Sequence, residues 1–329
     1  MKTFAFIFFP RTIEQLRNFS PVMRIVPDFI LKSRLKDFSP FKISHLKRIR
    51  SAQGKEIQGY FIACPLISQS NQKLDEESIL DKIISAANIA VRLSADILGL
   101  DINLSAVIEK RDAIDRKLKV PFTSGDTLTS WSIFEAVYRV TRVKNIDLKK
   151  STVAIISASS PVGSLCARKL SEYVAKIIFS ANDGDKLRQL KEYSRAVEVI
   201  VEGDLDKAIK EADIIIDLEG ILALNFAAAE KLKPGAIICT PNKAISRADI
   251  TIINGGLIKL PYPAKLGIKL GLPKGIVFAS IAETMLLTFE ERFINYSWGE
   301  NINLDKLEEI ADLAVQHGFE VWVPEAPVL

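Results

Sequence analysis

Between residues 151 and 239 the chain alternates short β-rich runs with amphipathic stretches, and no other feature restricts its fold as tightly. The β-rich runs cover 152–156, 176–179, 197–201, 213–217 and 236–239. The stretches between them, 162–174, 185–193, 205–211 and 225–232, place apolar residues at helical spacing. A strand that passes through a helix before rejoining its sheet returns parallel to the first, and repeated right-handed crossovers cover both faces with helices. The pattern therefore predicts an α/β chain with a doubly wound parallel sheet.

Upstream the periodicity is mixed. Residues 4–9 form an apolar run that reads as a first buried strand. Residues 42–51 and 56–64 alternate around Gln53 and Gly54, as a hairpin does. Residues 74–98 carry Ile79, Ile83, Ile84, Ala87, Ile89, Val91 and Ile97 at helical spacing and are expected to close at Gly99. A second helix is expected over 126–143, and final helices over 282–293 and 304–316, the last stopped by Gly318. Pro261, Pro263 and Pro273, with Gly267 and Gly271, mark an irregular and mobile connection. The expected division is 1–124 as a mixed substrate or partner domain, 125–272 as a nucleotide-binding domain, and 273–329 as helices closing over the cleft.

At 329 residues and 48% apolar content the chain has enough material for two hydrophobic cores. The apolar run 4–9 is too short to span a bilayer and meets Pro10 and Arg11 with no small-residue cleavage site, so a cytoplasmic protein without a transmembrane segment is expected. Three scattered cysteines and two histidines support neither a disulfide frame nor a metal site. The net charge of +4 is uneven. Residues 1–50 hold eleven Lys or Arg against Glu14, Asp28 and Asp37, a net of +8, so the remainder carries −4. The dense part, Lys42, His45, Lys47, Arg48 and Arg50, suits nucleic acid, an anionic membrane surface or an acidic carrier protein, or is simply a solvated face.

After the strand 152–156 comes S-A-S-S-P-V-G-S, residues 157–164, at the start of a helix. A dinucleotide loop belongs there, with Ser157, Ser159, Ser160, Val162 and Gly163 as its candidate phosphate contacts. A plain strand-to-helix turn gives the same position. At the end of the second strand Asn182 and Asp183 are candidates for the ribose, and helix capping is the alternative use of the aspartate.

The segment 277–299, V-F-A-S-I-A-E-T-M-L-L-T-F-E-E-R-F-I-N-Y-S-W-G, resembles the C-terminal signature of cyanobacterial-type long-chain acyl-[acyl carrier protein] reductases. The likeness extends to H-G-F at 317–319, to F-T-S-G-D-T-L-T at 122–129 and on to about residue 170. It implies a Rossmann-like fold, an NAD or NADP cofactor, an acyl or carbonyl substrate of fatty-acid metabolism and an acidic acyl carrier protein docking through Lys47, Arg48 and Arg50. No nucleic-acid partner is implied. Lys243 would meet a phosphate of the cofactor or substrate arm.

Three departures qualify the chemistry. Ser280 stands where the family has a cysteine that takes the acyl group from its thioester. Ser157 and Ser160 replace two loop glycines, leaving Gly163. The arginine-rich end of the second strand is absent, which makes NAD as suitable as NADP. Ser280, Glu283 and Asp126 are the catalytic candidates, with His45 and His317 as the other bases available and Cys64 as a substitute nucleophile or an ordinary core residue. S-I-A-E at 280–283 also reads as a capping box, Ser280 accepting from the Glu283 N–H and the carboxylate reaching back. The function implied is an oxidoreductase acting without a cysteine acyl-enzyme. A non-catalytic binding homologue and a quinate- or shikimate-dehydrogenase-like enzyme are the alternatives.

Overall fold

The computed structural model describes residues 1–10, 12–19, 21–34, 37–66, 76–100, 111–180, 184–196, 198–224, 226–241, 247–298 and 302–324. The chain divides into two compact units. Unit 1 comprises Met1–Gly125, Lys259–Asn301 and Leu313–Glu320; unit 2 comprises Asp126–Ile258, Ile302–Asp312 and Val321–Leu329.

Unit 1 is built on five strands: β1 (Thr3–Phe8), β2 (Phe41–Arg50), β3 (Glu56–Ala63), β4 (Ile97–Leu100) and β5 (Phe122–Thr123), in the order β2-β3-β1-β4-β5. β1 is buried along its whole length, and it takes a place between parallel neighbours β3 and β4. On one face Phe6 and Phe8 pack with Phe61. On the other, Ala5, Ile7, Ile62 and Leu98 meet Ile83, Ala86 and Ala90 of the Glu76–Arg92 helix. Each large apolar side chain so buried contributes about 1.5–3 kcal/mol.

The hairpin forms where expected, β2 running antiparallel to β3 with Gly54 at φ 81° in its turn. β2 is irregular between Leu46 and Ile49, and Arg48 there sits at φ 53°.

Two helix ends differ from the periodic reading. The first helix stops at Arg92, not at Gly99, because Ser94 turns left-handed (φ 55°) and the Ala95 N–H reaches back to the Ala90 carbonyl at 3.0 Å. Ile97, Leu98 and Gly99 then belong to β4. Gly99 serves close packing, since a Cβ on it would lie 2.3 Å from both Phe6 and the Thr284 hydroxyl. The helix expected over 282–293 is Ala279–Phe289, ended by Glu291 at φ 53° with the Arg292 N–H bonded to the Leu287 carbonyl at 2.9 Å. Gly318 (φ 74°) ends the Leu304–Gln316 helix in the same way, as expected.

Residues 261–274 form a loop closed at its base by Leu260 N–H to the Gly275 carbonyl, 2.8 Å. It lies on β2, where the Ser44 hydroxyl donates to the Leu266 carbonyl at 2.8 Å and Gly267 fits against Ser44.

Unit 2 holds β6 (Thr152–Ile156), β7 (Lys176–Ser180), β8 (Glu198–Val201), β9 (Ile214–Asp217), β10 (Ile237–Cys239) and β11 (Thr251–Ile253). All pairings are parallel and the order is β11-β10-β9-β6-β7-β8, the doubly wound arrangement of the Rossmann fold. Five of the six strands fall on the runs read from periodicity. β11 was not expected, being only Thr251, Ile252 and Ile253 beside an irregular stretch. The Asp126–Val143 helix forms over the expected residues. Gly255 allows close packing against it, since a Cβ there would meet Ile133 at 2.6 Å and the Cys239 sulfur at 2.7 Å. No helix among the described residues is long and apolar enough to cross a membrane.

Candidate active site

Unit 1 gathers three of the segments singled out in the sequence. Ser280 is the second residue of the Ala279–Phe289 helix and is half-buried. Gly125, left-handed at φ 80°, runs against it so closely that a Cβ would lie 2.2 Å from the Ser280 Cα. Only glycine meets both requirements.

One turn further on, Glu283 is wholly buried. Its Oε1 accepts from the Ser297 hydroxyl at 2.6 Å and from the Thr123 hydroxyl. Thr123 Oγ1 in turn accepts from the Ser297 N–H at 3.2 Å, and the Ser124 hydroxyl donates to the Ser297 carbonyl at 2.6 Å. Burial, with the charge of Glu283 added, pushes the Tyr296 phenol well above its ordinary value.

This arrangement overturns the capping-box reading of Ser280 and Glu283. Phe278 occupies the cap position and makes no side-chain capping bond. Ser280 lies inside the first turn, where its side chain cannot reach the Glu283 N–H as a cap does. The Glu283 carboxylate is instead drawn inward by two hydroxyls from elsewhere in the chain, because a buried carboxylate needs donors more than a helix end needs an acceptor.

The other candidate bases are engaged away from Ser280. His317 is fully buried, its Nε2 2.8 Å from Glu290 Oε1, which also accepts from Lys55 at 2.6 Å; its ring stacks on Phe289 with centroids 5.1 Å apart. Burial holds its imidazole below the ordinary histidine value, against the pull of Glu290. His45 stacks on Tyr60 and pairs with Gln58 at 3.1 Å. Cys64 lies in the core with its thiol pushed up to about 12 by desolvation, so it remains a protonated core residue and not a nucleophile. Asp126 opens the Asp126–Val143 helix, where a carboxylate complements the helix dipole.

In unit 2 the Ser157–Gly163 loop follows β6 at the carboxyl edge of the sheet, beside the reversal of strand order between β6 and β9. Ser157 adopts φ 61°, the left-handed conformation that glycine takes without cost. Ser160 caps the Pro161–Leu170 helix, accepting from the Gly163 N–H at 3.1 Å. A Cβ on Gly163 would lie 2.4 Å from the Ser157 carbonyl, so that glycine is needed for the turn itself. Ser159 and Val162 are half-buried on either side of Pro161.

The backbone thus keeps the tight strand-to-helix turn of a dinucleotide loop. Glu219 is the discordant element: its Oε1 is 2.7 Å from the Ser157 hydroxyl and places negative charge beside the loop. Asp217, buried at the end of β9, accepts from the Ile221 and Leu222 N–H groups at 3.0 and 2.9 Å, and desolvation raises its pKa. Neither acid was singled out by sequence, since each is an ordinary-looking residue in a strand-to-helix connection. Asn182, Asp183 and Lys243 lie outside the described residues. Lys47, Arg48 and Arg50 are all exposed on β2, and Arg50 pairs with Glu56 at 2.5 Å. No group of side chains able to hold a metal ion occurs among the described residues.

Fold and loop together define a Rossmann-type chain carrying a second α/β unit. The chain is 26% identical over 292 residues to the long-chain acyl-[acyl-carrier-protein] reductase of Synechococcus elongatus, a match covering 83% of this chain and 85% of that protein. The two are thus similar over most of both chains. The chain is also 26% identical over 310 residues to the aminotransferase PigE of a Serratia species, spanning 88% of this chain but only 35% of PigE. Among solved structures, the L-tryptophan dehydrogenase of Nostoc punctiforme aligns over 74% of this chain and 63% of its own, at 17% identity and a TM-score of 0.36. No protein-family model matches the chain.

Proposed function

We propose that the chain is an NAD(P)-dependent oxidoreductase related to the acyl-carrier-protein reductases, reducing an acyl or carbonyl group without a cysteine acyl-enzyme. The observation that carries this reading is the left-handed Ser157 turn and Gly163 contact after β6, at the switch point of a sheet in Rossmann order. The residues there fit a dinucleotide in backbone geometry: Ser160, Val162 and Gly163 open the Pro161–Leu170 helix, whose N-terminus favours pyrophosphate. The cofactor, when bound, supplies or accepts the hydride.

The chain's own contribution in unit 1 centres on Ser280. A serine hydroxyl is almost wholly protonated at neutral pH and needs a base to act as a nucleophile. The described hydrogen bonds of Glu283 Oε1 go to Thr123 and Ser297, and the Nε2 of His317 goes to Glu290. Ser280 is therefore assigned to orienting the substrate carbonyl. Glu283 acts through Thr123 and Ser297 as a positioning residue that fixes the segment facing Ser280. Lys47, Arg48 and Arg50 form the docking face for an acidic carrier protein.

Calorimetric titration tests the reading. Binding of NADH or NADPH at micromolar to millimolar concentration is expected, and no heat with any of NAD, NADH, NADP and NADPH at millimolar concentration sinks it. A non-catalytic binding homologue is the second reading, favoured by the commitment of the Glu283 and His317 side chains to other partners. Aldehyde or alcohol formation from an acyl thioester that disappears in Ser280→Ala would reject it.

A further inference from the structure

We propose that a cleft within unit 1, between the β2–β3 hairpin and the loop 261–274, binds a phosphate ester. The cleft is a cavity of about 710 Å³ lined by Arg48, Arg50, Ser51, Glu56, Tyr262 and Pro263, among others. That volume is in the range of about 300–1,000 Å³ typical of small-molecule sites.

Its polar groups are unevenly satisfied. Arg50 is paired with Glu56, the single acidic residue in the lining. Arg48 makes no hydrogen bond or ion pair among the described residues, although the bulge in β2 holds it in a left-handed conformation at φ 53°. Ser51 is 1% exposed, and its hydroxyl has no hydrogen-bond partner among the described residues. Buried polar atoms without partners are rare, and here the atom belongs to a residue of the lining that Arg48 and Arg50 also form.

A guanidinium fork and a hydroxyl are complementary to phosphate oxygens, and the excess of positive charge selects an anion. The opposite wall is apolar, made by Pro263, Ala264 and the ring of Tyr262, which is 54% exposed. An inorganic ion leaves that wall unused, whereas an ester sets its organic part along it.

Both walls are fixed in place. The hairpin turn is tied by Ala52 N–H to the His317 carbonyl at 2.9 Å and by Gly54 N–H to the Ser51 carbonyl at 3.0 Å; the loop is tied by Ser44 to Leu266 and closed at Gly275. A cleft held open before binding loses little freedom on occupation. The cleft shares Arg48 and Arg50 with the carrier-docking face proposed above and deepens that part of the reading, while its binding readout needs no hydride transfer and so can fail or hold separately from the oxidoreductase activity.

The test is calorimetric titration of the full chain with pantetheine 4′-phosphate and, separately, with unphosphorylated pantetheine. At least tenfold tighter binding of the phosphate is expected. In Arg48→Gly that preference is expected to fall to threefold or less; glycine suits the left-handed backbone, so the fold is kept, as a thermal melt would verify. Arg48→Lys, which keeps charge without the fork, is expected to lie between the two.

Holo and apo forms of an acyl carrier protein then distinguish the sources of the ester. Holo binding tighter than apo by an amount lost in Arg48→Gly assigns it to the carrier's prosthetic arm, whereas equal binding of the two forms, with the free ester still bound, assigns it to a free metabolite. Equal affinity for the phosphorylated and unphosphorylated probes, or a preference unchanged in Arg48→Gly, overturns the proposal.

Discussion

Glu283, Gly125 and His317 show how far a residue's role depends on what is folded around it. Glu283 is fully buried and satisfied by hydroxyls from residues 123 and 297, so Glu283→Ala strands two buried donors. A loss of about 2–4 kcal/mol is expected in urea unfolding, with a smaller loss in Glu283→Gln, which retains an acceptor oxygen. Gly125→Ala places a methyl group 2.2 Å from the Ser280 Cα at a backbone angle hostile to alanine, and its melting temperature should fall by several degrees. His317 is held below its ordinary value by burial, so the unfolded chain binds the extra proton first and stability declines as pH drops from about 6.5 toward the folded value. That decline should be weaker in His317→Gln when stability is measured between pH 7 and pH 5. Glu290, held down chiefly by Lys55, adds its own loss at lower pH, as the pH falls from the ordinary carboxylate value toward its depressed folded value.

At the scale of elements, periodicity located the helices and the local backbone set their ends. Ser94 and Glu291 take the left-handed terminal position usually given to glycine, and the carbonyls of Ala90 and Leu287 are satisfied by the returning N–H groups. A propensity reading has no means of selecting a serine or a glutamate for that position, which is why the expected stop at Gly99 lies five residues beyond the actual one at Ser94. The β6–helix turn poses the same problem. Ser157 holds a left-handed angle, so Ser157→Gly should be near neutral in chemical denaturation, the eased backbone offsetting its lost hydrogen bond to Glu219. Ser157→Val should cost more than about 1 kcal/mol, because a β-branched side chain is strongly disfavoured there. If the loop holds a dinucleotide, Glu219→Gln removes a negative charge beside it and should tighten NADH binding several-fold by calorimetry. Unchanged affinity would place the pyrophosphate away from Ser157.

At the scale of the whole molecule, a saturating cofactor should raise the stability of the chain by about 2.7 kcal/mol at a hundred times its Kd, visible as a shift of the melting temperature. The alternation over residues 151–239 was enough to determine the doubly wound sheet, since strand and helix periods are local and parallel crossovers leave few topologies. The likeness of residues 277–299 to the reductase signature was equally legible. The sixth strand was not: three residues beside an irregular stretch carry too little pattern. The capping box misled because Ser280 and Glu283 have its spacing, while the groups that claim the carboxylate lie 160 residues away at Thr123 and 14 away at Ser297. The orphan hydroxyl of Ser51 was invisible for the same reason, its surroundings being set by residues 262–264 and by the segment around His317. The sequence by itself determined the strand and helix order, and with it the class of fold. Only tertiary structure decided which side chains are buried together, because a carboxylate's or a hydroxyl's partners are chosen by proximity in space and by the cost of leaving a buried polar group unpaired.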